Sequence, residues 1–145
     1  MTRHGLALAS ALMLGATAAY AESMISPEGI AASETSVTVG SVTADKDGYL
    51  VVHRTDFTGT IPGSIIGHAP VKAGDNAGVS ITLDKKAEVG TKLIVMLHEE
   101  GDNDTDFDAA DKPATTGRGP VQQIVNKRKT RDQRPASSVA DQGSD

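Results

Sequence analysis

Val79-Ser80-Ile81-Thr82-Leu83 alternates apolar and polar residues without a break. A period of two sets one face of a segment against a core and the other in water, so this stretch reads as a half-buried β-strand. The same vocabulary recurs on both sides of it. Lys92-Leu93-Ile94-Val95-Met96-Leu97-His98 is the most apolar run beyond the N-terminal region, and Tyr49-Leu50-Val51-Val52-His53 is dense in strand formers. Ser36 onward, with Val37, Val39 and Val42, reads as a strand carrying one irregularity near Gly40; Ser64 to His68 and Val121 to Val125 add two more. Turn chemistry separates them: Asp45-Lys46-Asp47-Gly48, a Thr/Gly/Pro-rich stretch at 55–63, a loop at 70–76 and a turn at 85–90. About seven short strands and no helical period predict an antiparallel β-sandwich over residues 36–125, immunoglobulin-like or cupredoxin-like.

Composition narrows the chemistry. The 145 residues suffice for one domain plus tails, and with aromatics at 3% the core must be built from Val, Ile, Leu and Ala. There is no cysteine, which excludes disulfide scaffolds, thiol nucleophiles, Cys-based zinc sites and the thiolate copper of cupredoxins. No G-x-S-x-G elbow, H-E-x-x-H pair or phosphate-binding glycine loop occurs, so nucleophilic and phosphoryl chemistry have no motif to rest on.

The two ends read differently from the middle. Arg3 and His4 precede an apolar run from Gly5 to Ala18, and Ala19-Tyr20-Ala21 supplies the small residues of a signal-peptidase site. Residues 1–21 are therefore expected to be a signal peptide cleaved before Glu22, and the run is too short to span a bilayer stably. The protein is expected to be exported, periplasmic or extracellular. Residues 22–35 lack periodicity and are expected as a flexible lead-in, whereas 126–145, with Lys127 to Arg134 strongly basic, are expected as a disordered tail. Between Glu22 and Val125 there are 16 acidic and eight basic residues. An acidic body with few stacking aromatics argues against nucleic acid as a partner.

Four pieces in order, Asp47-Gly48-Tyr49-Leu50-Val51-Val52-His53, Ile65-Ile66-Gly67 leading to Ala73-Gly74, Met96-Leu97-His98 with an acidic run behind it, and Asp111-Lys112-Pro113 ahead of Val121, resemble the DUF7282 family of small secreted domains. The sequence departs from that pattern at Glu99-Glu100 and the aspartates after them, and at His68. The resemblance implies an extracytoplasmic β-domain without an assigned activity.

Two constellations carry candidate chemistry. Asp102, Asp104, Asp106 and Asp108 stand at alternate positions, with Asp111 three further on, and hard cations such as calcium take six to eight oxygens of this kind. An EF-hand loop is excluded, because its sixth and twelfth positions would be Phe107 and Pro113. The other reading of the loop is a solvated acidic turn. His53, His68 and His98, with a nearby carboxylate or Met96, form the second set; such donors are ligands for copper or zinc, and the plainer reading makes the histidines hydrogen-bonded residues at the sheet rim. The expected function is a non-enzymatic binding or structural module of the cell envelope, meeting an envelope or extracellular partner, with either no cofactor or calcium steadying the acidic loop. The alternative is a periplasmic metal-handling protein or small enzyme using His53 and His98.

Overall fold

A computed structural model describes residues 22–127, and among these there is no helix. Eleven strands follow in order: β1 (Met24–Ile25), β2 (Ala31–Ala32), β3 (Ser36–Ala44), β4 (Gly48–Thr55), β5 (Pro62–Val71), β6 (Gly74–Thr82), β7 (Lys92–Glu99), β8 (Lys112–Pro113), β9 (Thr115–Thr116), β10 (Gly119–Pro120) and β11 (Gln122–Asn126). Six of them are five residues or longer. All pairings are antiparallel. One sheet has β3 at its centre, β6 on one side and the short β1 and β2 on the other; the second runs β11-β7-β4-β5, with β8 beside the end of β7. The two pack into an open, sandwich-like all-β fold.

Inward-facing aliphatic side chains hold the sheets together. Val37, Val39, Val42 and Ile81 from the first sheet meet Leu50, Val52, Leu93, Val95 and Leu97 from the second, all almost fully buried. Each such side chain contributes about 1.5–3 kcal/mol through burial. β6 keeps the alternation read from its sequence, with Ile81 and Leu83 buried and Ser80 and Thr82 exposed. The irregularity near Gly40 is real: the inward positions shift from Val37 and Val39 to Val42 and Ala44 across it, and Gly40 lies so close to Gly29 that a Cβ would press on the Gly29 backbone at 3.1 Å.

Two segments differ from expectation. Residues 22–35 are not a loose lead-in here, since β1 pairs with Thr43 and Val42, β2 pairs with Thr38 and Val37, and Ile25 is in the core. Strands of two residues carry no periodicity, which is why composition alone reads them as irregular. The loop expected at 70–76 is a tight connection, with β5 ending at Val71 and β6 starting at Gly74. At the other boundary the sheet continues through Asn126, and Lys127 is buried with its Nζ donating to the Ala87 carbonyl at 2.5 Å. The expected signal peptide, and the expected tail from residue 128 on, lie outside the described residues. No helix among the described residues is long and apolar enough to cross a membrane.

Candidate functional site

β4 and β7 are buried on both faces, and this creates the site. Inward residues alternate with Tyr49, Val51 and His53 on β4 and with Ile94, Met96 and His98 on β7, and every one of these outward residues is buried too. The register arranges them in three rows across the second sheet. Ile124, Ile94, His53 and Ile65 form the first, Gln122, Met96, Val51 and His68 the second, and Pro113, His98, Tyr49 and Pro70 the third.

His53 and His98 therefore start two rows apart, about 13 Å along the strands, yet their ring centroids are 5.8 Å apart at an interplanar angle of 25°. Both side chains lean inward over the middle row, over Val51 and Met96. A shift in the β4–β5 register on either side of His53 accompanies this, Val52 facing Gly67 and His53 facing Ile65. Such bulges re-aim side chains. His53 Nδ1 lies 3.0 Å from the Gly63 carbonyl oxygen, and His98 Nδ1 lies 3.0 Å from that of Asp111. A carbonyl only accepts, so each Nδ1 carries the proton and donates it. Each Nε2 of the neutral ring is then a bare lone pair, and both Nε2 atoms are buried without a hydrogen-bond partner. The two residues are 8% and 6% exposed. Burial pushes the His98 imidazole below the ordinary histidine range; the Asp111 carbonyl opposes this and His53 adds to it.

The acidic loop closes over the same face. Phe107 packs on Tyr49, His98 and His68, with ring centroids 5.5, 5.4 and 5.1 Å away. Tyr49 donates from its hydroxyl to Glu100 Oε2 at 3.3 Å. Burial first, then the Glu100 charge, pushes the Tyr49 phenol up to about 12. The loop's base is tied by Asp111, 3% exposed, whose Oδ1 accepts the Gly101 amide at 3.0 Å and whose Oδ2 accepts the Asp108 amide at 2.9 Å. Gly101 permits this closure, because a Cβ there would stand 2.3 Å from the Ala110 carbonyl oxygen.

A family model described as "Domain of unknown function (DUF7282)" matches residues 23–127. The chain belongs to the DUF7282 family. The match takes in β1 and β2 as well as the stretch whose motifs carry the resemblance, and so coincides with the whole described fold of this DUF7282 domain. No curated protein and no solved structure matches the chain.

The sequence-derived candidates separate within the DUF7282 domain. Of the aspartates, Asp102 and Asp104 come together with Glu100, their ligand atoms within 4.8 Å of one another. Glu100 Oε1 also accepts the amides of Asp102 and Asn103, both at 3.0 Å, which holds its carboxyl below the usual range, while partial desolvation and the bond shared with Glu100 raise that of Asp102. Asp104 accepts the Asp106 amide at 2.8 Å, Asp108 accepts the Ala110 amide at 2.6 Å, and Asp111 is the buried tie rather than part of that cluster. Among the histidines, His53 and His98 converge, whereas His68 is exposed and meets Phe107 and Tyr49. Sequence reasoning missed Phe107 as the cover of the face and the two carbonyls that orient the rings. An aromatic flanked by aspartates in a chain with 3% aromatics was the available signal.

Proposed function

We propose that this DUF7282 domain is an exported, non-enzymatic module of the cell envelope that presents its acidic loop as a pre-ordered, negatively charged binding surface. One observation carries the reading: the loop is fastened to the sheet by the Phe107 ring and by the Asp111 carbonyl, which accepts from His98, leaving Asp102, Asp104 and Asp106 exposed. A surface that is ordered before binding loses less entropy on association, and a cluster of like charges steers partners of opposite charge. The partner class is therefore a cationic protein segment or polymer of the envelope. Binding rather than turnover is supported by the histidines, which are buried beneath the loop rather than open to a substrate. Export rests on Arg3, the apolar run and Ala19-Tyr20-Ala21.

Two measurements test this. Intact mass of the protein recovered outside the cytoplasm should match a chain beginning at Glu22; recovery of the uncleaved chain inside the cell contradicts export. Purified protein should co-sediment with envelopes of the producing cells at low salt and be released as salt rises. The triple change Asp102→Asn, Asp104→Asn, Asp106→Asn should abolish co-sedimentation while leaving the fold intact, and unchanged sedimentation of that variant would overturn the loop as the binding surface.

A further inference from the structure

We propose that the Nε2 atoms of His53 and His98, with the Met96 thioether between them, form a binding site for one monovalent copper ion. The inference is independent of the envelope reading above. It starts from a cost: a buried acceptor left without a partner disfavours the fold, and two such atoms occur on neighbouring, near-parallel rings. Among the described residues no other buried side-chain nitrogen or oxygen lacks a partner. Each Nδ1–H is held by a backbone carbonyl, which is how a metal-binding imidazole has its tautomer and orientation fixed. The rings lie near-parallel, at 25° with centroids 5.8 Å apart, a separation that two metal–imidazole bonds of about 2 Å each can bridge. Met96 occupies the same face in the row between the two histidines and is itself buried.

The donor set selects the ion. Two neutral imidazoles and a thioether are soft to borderline ligands, whereas calcium and magnesium require oxygen. The carboxylate of Asp111, the residue whose backbone carbonyl holds the His98 ring, is committed to the Gly101 and Asp108 amides. A buried site made of neutral donors bears a single positive charge more cheaply than a double one. Copper in its monovalent state fits that demand, and thioether donors favour it. Phe107 lies against the His98 ring and screens this end of the site from water.

The test uses the full chain. Copper kept monovalent with ascorbate under argon is titrated in competition with the chromophoric chelator bicinchoninate. The protein should withdraw one copper per chain. His53→Gln or His98→Gln should weaken retention on the order of a hundredfold and Met96→Leu by about tenfold, while His68→Ala should leave it unchanged. Because the histidine variants are exposed to folding defects, the wild-type protein supplies the deciding measurement: on adding copper, the imidazole ¹⁵N resonances of both Nε2 atoms should move and those of Nδ1 should not. Failure to compete with the chelator, equal loss in His68→Ala, Nε2 resonances that stay in place, or tighter retention of zinc than of monovalent copper would each overturn the assignment.

Discussion

The Asp111 carboxylate accepts the backbone amide of Gly101, ten residues earlier in the chain, at 3.0 Å and from a position almost sealed from water. The side chain thus closes the acidic loop on itself, and the aspartate nearest the sheet serves as a structural tie.

Asp111→Ala should therefore destabilise the domain by about 2–4 kcal/mol, as two charge-assisted bonds are lost and two amides are left to find water. Asp111→Asn, which retains one acceptor, should cost less. Urea unfolding gives the magnitudes, and amide exchange should rise selectively at Gly101 and Asp108. An alanine variant as stable as the parent would show that the loop is held elsewhere.

Phe107→Ala should cost about 1–2 kcal/mol, the fraction of a full phenylalanine burial appropriate to a half-buried ring. The loop amides should exchange faster while those of β3 and β6 remain protected, because the ring covers the second sheet only. Equal loss of protection in both sheets would contradict this.

Tyr49 should ionise at about pH 12 instead of 10.0. The absorbance difference between the wild type and Tyr49→Phe isolates this titration. The unfolded chain releases this proton near 10 and the folded chain near 12, so between these values unfolding is coupled to proton release. The contribution of Tyr49 to stability is complete below pH 10 and is lost as pH rises towards 12. Tyr49→Phe should flatten that part of the stability profile, and an identical slope in both proteins would remove the effect.

Calcium and sodium chloride at matched ionic strength should raise the melting temperature equally. The carboxylates of half-buried Glu100 and exposed Asp102 and Asp104 repel one another across a loop already secured by Phe107 and Asp111, and screening relieves that repulsion whatever the salt. Asp104→Asn with Asp106→Asn should itself stabilise slightly. A rise specific to calcium, lost in Asp102→Asn with Asp104→Asn, would instead establish an ion site.

How much of this was legible in the sequence depends on where each residue's environment comes from. β6 is readable because Val79 to Leu83 faces water on one side, and the alternation records that difference directly. β7 is recognisable as a strand but not as one buried on both faces, since Leu93 to His98 has no polar partner residues to mark an outer side. The cover of that side comes from Phe107, nine residues beyond His98, in a loop whose composition reads as solvent-facing. For the same reason His53 and His98 look like residues of a sheet rim. Their convergence over Met96 depends on the β4–β7 register and on the irregularity beside His53, and neither is written in local spacing.

The outer strands of the larger sheet carry a further consequence. β5 includes Pro62 and Pro70 and β8 ends in Pro113, while in the separate β9–β10 pair β10 ends in Pro120, so four of the chain's six prolines are exposed at strand edges and ends. A proline offers no N–H, and each one interrupts the row of donors that another chain would need in order to add a strand. Another copy that approaches along β5 or β8 thus meets a broken row of donors instead of a continuous edge.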